Sequence, residues 1–176
     1  MSSDSAIAEK KVREMASLTT GDSIGADVGM WSFAGETSEK FEAHVAKSVP
    51  LYLQGHDLVC KLSEFFVHPD SLIYEIGCST AVLSRKLAEH HNKKSIRIVG
   101  IDIEPDMIAR ARSKCEAYDN IDLTSADAAH FEFEKSDLIV AYYTLQFVPP
   151  KKRQVLISAL YNALNWGGAL MMFEKT

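Results

Sequence analysis

The sequence has few cysteines, no long apolar run and no excess of positive charge. Its three cysteines, Cys60, Cys78 and Cys115, form no Cys-x-x-Cys pair, which argues against a zinc site or a disulfide framework and fits a reducing cytoplasm. No stretch approaches the roughly 18 apolar residues of a membrane span, and the N-terminus has no apolar signal core. We therefore expect a cytoplasmic protein that binds neither a membrane nor a metal.

The charge of the chain limits its partners further. The net charge is −5, and a general nucleic-acid binder needs a dense surface of lysine and arginine. This balance excludes general nucleic-acid binding, although a local patch that holds a nucleic-acid substrate stays open.

What the chain does contain is enough apolar sequence for one folded domain. It has 176 residues, 47% of them hydrophobic and 24% charged, ordinary values for a globular domain. Residues 1–36 are polar and include the glycine-rich "TTGDSIGADVGM", so we predict an N-terminal arm and linker there and a domain over residues 37–176. Two helical patterns, from about Glu39 to Lys47 and from Pro50 to about Phe66, open that domain.

From residue 71 onwards, strand-like and helical segments alternate. The strand-like segments are "SLIYEIG", "SIRIVGID", "NIDLTSAD", "SDLIVAYYTLQFV" and "GGALMMFE". Runs such as "LIVAYY" lack the alternation of a half-exposed strand, which is typical of strands covered on both faces. The pattern predicts an α/β fold with a Rossmann-like open parallel sheet of about five strands, helices on both faces and an N-terminal helical arm.

Polar residues stand where the predicted strands end, which is where open parallel sheets bind ligands. Glu75 and Gly77 close the first strand, Asp102 the second, Asp127 the third and Tyr142 the fourth. An acid after the second strand can accept both hydroxyls of a ribose, and an acid after the third can accept the amine of adenine. The arrangement predicts a nucleoside site.

The first turn indicates which nucleoside compound is bound. A dinucleotide loop needs the pattern Gly-x-Gly-x-x-Gly, whereas this turn has Gly77, Ser79 and Ala81 at its small positions. A pyrophosphate is therefore disfavoured, and with it a nicotinamide dehydrogenase. The acid Glu75 suits a cationic ligand, and S-adenosyl-L-methionine carries a sulfonium and an ammonium group.

Three segments, "IYEIGCSTAVLSRKL", "IVGIDIEPDMIARAR" and "YYTLQFVPPKKRQVLISALYNALNWGGALMMFEK", resemble the class I S-adenosylmethionine-dependent methyltransferases. With "FEAHVAKSVPLY" they resemble more narrowly the carboxy-S-adenosylmethionine synthases of tRNA wobble-uridine modification. The resemblance covers about residues 41–176. It implies S-adenosyl-L-methionine as the cofactor.

The resemblance also assigns roles to individual residues. The methionine part would contact Tyr52, Gly77, Cys78 and Ser79. Asp102 would hold the ribose, Ile103 and Met107 would flank the adenine, and Asp127 and Ala128 would read its edge. Tyr142 belongs to the same predicted site and stands where the synthases have Asn.

The chain stops at Thr176, whereas these families continue into strands six and seven, and the synthases bind the added carboxylate through a later Arg. We therefore expect those strands to be absent and the edge of the fifth strand to be covered by a second copy or a partner chain; a truncated product is the alternative.

Three functions follow as hypotheses. The leading one is an S-adenosylmethionine-dependent methyltransferase acting on an unidentified small-molecule acceptor. The alternatives are a carboxy-S-adenosylmethionine synthase-like enzyme and an inactive ligand-binding subunit that serves a partner. No catalytic residue is assigned, because the sulfonium already activates the methyl group and catalysis is then mainly a matter of positioning.

Overall fold

The computed structural model describes Glu42 and residues 45–174. The predicted N-terminal arm over residues 1–36 and most of the predicted helix over residues 39–47 lie outside this part, in which Glu42 and residues 45–48 are helical. The helices are α1 (Tyr52–Ser63), α2 (Val82–His90), α3 (Pro105–Lys114) and α4 (Pro150–Ala163). The strands are β1 (Leu72–Ile76), β2 (Arg97–Asp102), β3 (Ile121–Ser125), β4 (Ser136–Tyr142) and β5 (Leu164–Phe173), and two short 3-10 turns cover Ala128–His130 and Leu145–Phe147.

The strands form one five-stranded sheet in the order β3-β2-β1-β4-β5. All four strand pairs are parallel, so all carboxyl ends lie along one edge of the sheet. The chain order reverses where β1 lies between β2 and β4, which makes this the switch point at which such sheets bind ligands. The predicted Rossmann-like fold is confirmed.

Apolar layers cover both faces of the sheet. On one face, α1 and α2 supply Val59, Cys60, Leu83 and Leu87, which pack against alternate residues of the central strands. On the other face, Leu156, Leu160 and Ala163 of α4 pack against the intervening strand residues, among them Tyr74 and Ile139. Successive strand residues point to opposite faces, so the apolar runs without alternation reflect burial on both sides.

The strand β5 follows α4 without a loop and pairs with β4. It begins at Leu164, earlier than the sequence pattern predicts, and its register shifts between Ser136 and Leu138 of β4. Trp166 is fully exposed and Met172 is half exposed. Within the described sheet, β5 is the outer strand next to β4.

No helix in the described part of the chain has the length and apolar character that crossing a membrane requires. Within the same residues, no three His, Cys, Asp or Glu side chains come together as a metal site.

Candidate functional site

The loop between β1 and α2, residues 77–81, has the backbone path of a glycine-rich loop although it keeps one glycine. Gly77, Ser79 and Ala81 all have positive φ, at 71°, 51° and 58°. A residue other than glycine in this conformation costs about 1–2 kcal/mol. The loop is held in place because the backbone N–H groups of Gly77 and Cys78 both donate to the carbonyl of Ile101, at 2.7 and 3.1 Å.

At Gly77, the chain segment after β4 packs against this loop. A Cβ atom at residue 77 would lie 2.5 Å from the side chain of Thr144. The Thr144 hydroxyl donates to the carbonyl of Ile76 at 2.8 Å. Because residue 77 has no side chain, Thr144 can pack against the loop and hydrogen-bond to the end of β1.

Asp102 links this loop to the end of β2. Its carboxylate accepts the backbone N–H of Ser79 at 2.8 Å and that of Glu104 at 2.9 Å, and burial raises the pKa of the carboxyl group. A carboxylate has about four lone-pair sites, so acceptor capacity remains. The next residue, Ile103, is 62% exposed. A carboxylate beside an exposed apolar side chain fits a ribose and its attached base.

Cys78 and Met107 lie beneath the loop rather than on its surface. The thiol of Cys78 is 3% exposed, packs over Gly100 and has a pKa raised by burial. The side chain of Met107 is 1% exposed, and its sulfur accepts the Ser79 hydroxyl at 3.5 Å. Neither side chain presents a surface to a ligand in this structure, so a contact from Cys78 would come from its backbone.

Asp127 lies just after β3, as predicted. The sequence analysis did not predict its hydrogen-bond partners. Its carboxylate accepts the backbone N–H of Ala129 at 3.0 Å and contacts Lys152 Nζ at 2.8 Å and His130 Nδ1 at 3.0 Å. The hydrogen bond from Lys152 is the main reason why its pKa falls to about 2. Ala128 packs into the core beneath.

The basic residues at the start of α4 would, from the sequence alone, indicate no more than a solvated helix start. The parallel topology carries Lys152 to the ligand edge of the sheet, because α4 follows β4. The position of this basic segment directly after the fourth strand is the sequence signal that could have predicted the contact between Lys152 and Asp127.

Glu75 lies near the end of β1, as predicted, but its side chain contacts α2. Its carboxyl group is 4% exposed and accepts a hydrogen bond from the Ser84 hydroxyl of α2. Burial raises its pKa to about 8, so the group is mostly protonated at neutral pH. The hydrogen bond joins β1 to α2, and the carboxyl group is buried in this structure.

Tyr52 and Tyr142, both predicted site residues, are neighbours at the carboxyl end of β4. The Tyr142 hydroxyl donates to the carbonyl of Tyr52 at 2.7 Å, and their ring centroids are 5.2 Å apart. Burial raises the pKa of Tyr142 to about 12 and also raises that of Tyr52. His56 and Tyr143 complete an aromatic cluster that the sequence did not reveal. The cluster fixes the start of α1 against the end of the sheet.

Both the sequence and the fold of the chain match known proteins. Residues 73–168 match the family described as methyltransferase domain. A carboxy-S-adenosyl-L-methionine synthase of Escherichia coli O17:K52:H18 is 36% identical over 155 residues, which are 85% of this chain and 62% of that protein. The chain thus spans less than two thirds of that relative.

Two solved structures are similar in fold. One is the N-methyltransferase NodS of Bradyrhizobium japonicum with S-adenosyl-L-homocysteine, at a TM-score of 0.61 and 25% identity over 78% of this chain and 72% of that one. The other is magnesium protoporphyrin IX methyltransferase of Synechocystis with bound S-adenosylmethionine, at 0.55 and 26% over 64% and 54%. The match over residues 73–168 covers more than half of the sequence, and the chain belongs to the class I S-adenosyl-L-methionine-dependent methyltransferase family.

Proposed function

We propose that this chain binds S-adenosyl-L-methionine at the carboxyl ends of β1, β2 and β3 and transfers its methyl group to a small-molecule acceptor. The observation that carries the proposal is the 2.8 Å hydrogen bond from the Ser79 backbone to Asp102. It joins a loop of positive-φ residues to the carboxylate that ends β2, in a chain whose sequence matches the methyltransferase domain.

Several of the predicted contacts have a role in this proposal. Asp102 accepts from the ribose hydroxyls with its remaining lone pairs, and Ile103 packs on the adenine. Asp127 accepts from the exocyclic amine, and the backbone of residues 77–79 with Tyr52 holds the methionine part. The cofactor supplies a methyl group that its sulfonium already activates, so the chain has to position the acceptor and exclude water. Tyr142, with a pKa of about 12, stays a neutral phenol at pH 7.

The site is tested by calorimetric titration with S-adenosyl-L-methionine and S-adenosyl-L-homocysteine. We expect micromolar binding to the unaltered chain. Asp102→Ala should weaken it by roughly tenfold or more, because a hydrogen bond to a charged group contributes about 1.5–3 kcal/mol. Asp119→Ala removes an exposed acid and is the matched control. A well-folded chain that binds neither compound would contradict the proposal.

A second candidate is synthesis of carboxy-S-adenosylmethionine, in which the cofactor itself is the molecule modified. The 36% identity to a synthase over 155 residues favours it. The resemblance implies Asn in the synthases where this chain has Tyr142, and that departure counts against the synthase activity. Mass spectrometry of the ligand carried through purification separates the two: a carboxylated derivative supports the synthase reading, and the unmodified cofactor or its demethylated product supports methyl transfer.

We also propose that β5, the outer strand of the described sheet, pairs with another chain, either a second copy or a partner that this chain serves as a ligand-binding subunit. The exposed Trp166 and Met172 on that strand support it, since unpaired apolar edges favour strand addition. Light scattering of the purified chain at high concentration tests it, and a uniform monomer would count against self-pairing. Methyl transfer catalysed by the isolated chain would exclude the hypothesis that it is an inactive subunit.

A cytoplasmic location belongs to the same proposal. Its support is that Cys60, Cys78 and Cys115 are all free and buried, as in proteins of a reducing compartment. Fractionation of cells that express the chain is the test.

A further inference from the structure

Glu174, directly after β5, holds three successive backbone N–H groups with one carboxylate. Its Oε1 accepts from Thr144 at 3.2 Å and from Leu145 at 2.7 Å, and its Oε2 accepts from Gln146 at 3.1 Å. Successive N–H groups that converge in this way form an anion-binding concavity. The side chain of Glu174 fills that concavity and thereby fixes the chain segment after β4.

The same segment holds the β1–α2 loop. The Thr144 hydroxyl donates to the Ile76 carbonyl at 2.8 Å, and its side chain occupies the space that a Cβ atom at Gly77 would need. A backbone bond from Tyr143 to the carbonyl of Phe173, at 2.7 Å, ties the segment to β5 a second time. A continuous path of contacts therefore runs from Glu174 through residues 144–146 to the turn at Gly77.

We propose that Glu174 is a positioning residue for the cofactor site: it orders residues 144–146, and through Thr144 it sets the conformation of the β1–α2 loop. A carboxylate suits this task because charge-assisted hydrogen bonds are roughly twice as strong as neutral ones. A glutamine at this position would offer one acceptor oxygen and would turn an N–H₂ group towards the three donors. The effect on ligand affinity rests on the proposed function, whereas the coupling between the two loops does not.

The coupling is tested by hydrogen exchange on the ligand-free chain, because the relevant amides are hydrogen-bonded. Gly77 and Cys78 donate to Ile101, and Ser79 donates to Asp102. In Glu174→Gln and Glu174→Ala we expect exchange to become roughly tenfold faster both at residues 144–146 and at residues 77–79. Faster exchange at 144–146 with unchanged exchange at 77–79 would overturn the proposal.

Substitutions at Thr144 separate the two steps of the path. Thr144→Val keeps the shape and removes the hydroxyl, so exchange should rise at residues 77–79 while Glu174 still protects Leu145 and Gln146. Thr144→Ser keeps the hydroxyl and should restore protection. Glu116→Gln alters an exposed acid in the turn after α3 and should change neither segment.

Ligand affinity gives a readout that a general loss of stability would not reproduce. We expect Glu174→Ala to bind S-adenosyl-L-homocysteine about tenfold more weakly, corresponding to the loss of about one charge-assisted contact. Added sodium acetate should recover most of that affinity by refilling the vacant concavity, whereas sodium chloride at equal ionic strength should not. If Glu174→Ala keeps the affinity of the unaltered chain, the proposed role is wrong. If the unaltered chain fails to bind, the proposed function fails, and the exchange experiment alone decides the role of Glu174.

Discussion

Tyr142 can pack against α1 because residue 55 is a glycine. A Cβ atom at residue 55 would lie 2.0 Å from the phenol oxygen of Tyr142 and 2.9 Å from its ring carbon Cζ. A glycine inside a helix costs about 1 kcal/mol relative to alanine, so this pair accounts for an otherwise unfavourable residue. The same contact lets the Tyr142 hydroxyl reach the carbonyl of Tyr52, which joins the start of α1 to the carboxyl end of β4.

This fit predicts an unusual response to a small substitution. Gly55→Ala should lower the free energy of unfolding by about 1–3 kcal/mol through overpacking, although the same change in an open helix would raise it. In a Tyr142→Asn background, Gly55→Ala should become neutral or stabilising because the clash is gone. Urea unfolding of the two single variants and the double variant measures this coupling. Additive effects would show that the two residues do not constrain each other.

The fold could be predicted from the sequence because each strand and helix has a local pattern of apolar and polar residues. Apolar runs of four to eight residues predict the strands, and the proline at the start of α3 predicts a helix start. The acids at or after the ends of β2 and β3 indicate where those strands stop. The carboxyl ends of parallel strands share one edge of the sheet, so Asp102 and Asp127 could both be assigned to that edge from the sequence alone.

The partners of those residues could not be predicted in the same way. Glu75 is adjacent to the loop in sequence, yet its direction depends on the pleat of β1 and on the hydroxyl of Ser84 across the interface with α2. Lys152 reaches Asp127 from 25 residues away, and Glu174 reaches Leu145 from 29 residues away. Contacts of this kind are set by the tertiary approach of elements, which periodicity does not encode.

The buried carboxyl of Glu75 predicts a pH-dependent stability. Its pKa rises from about 4.5 to about 8 on folding, so the native state keeps a proton that the unfolded state has lost between these values. Its contribution to stability is therefore complete below about pH 4.5 and is lost as the pH rises through about 8. The slope within this window approaches about 1.4 kcal/mol per pH unit.

Glu75→Gln isolates this effect, because an amide stays neutral and keeps an acceptor for Ser84. The stability of the unaltered chain minus that of Glu75→Gln should fall between pH 4.5 and 8. His56 and His91, whose pKa values burial lowers to about 4, act in the opposite direction but are common to both proteins. Urea unfolding across this range measures the difference, and parallel curves would mean that Glu75 is ionised in the folded chain.

Asp127 should determine which base the site accepts. If its carboxylate accepts from the adenine amine, the chain should bind S-adenosyl-L-homocysteine about tenfold or more tightly than S-inosyl-L-homocysteine, whose base has a carbonyl at that position. Asp127→Asn should reduce or reverse this preference, because the amide can donate to the carbonyl.

The comparison also tests the simpler reading of Asp127 as a cap for the turn at Ala129. In that case, titration calorimetry would show the affinities for both nucleosides falling together in Asp127→Asn. Asp122→Asn is the matched control, because Asp122 is a carboxylate on β3 that is engaged by Arg97.

Gly77 and Ser79, both in the β1–α2 loop at positive φ, should respond differently when glycine and a residue with a side chain are exchanged. Gly77→Ala places a Cβ atom 2.5 Å from Thr144 and an alanine at a φ of 71°, so it should cost about 2 kcal/mol or more and abolish cofactor binding. Ser79→Gly relieves a φ of 51° at the cost of a more flexible unfolded chain, and the two effects should nearly cancel, to within about 1 kcal/mol. Thermal unfolding and calorimetric titration of both variants measure these outcomes. Equal losses of stability in the two variants would mean that backbone strain does not distinguish residue 77, which is a glycine, from residue 79, which is not.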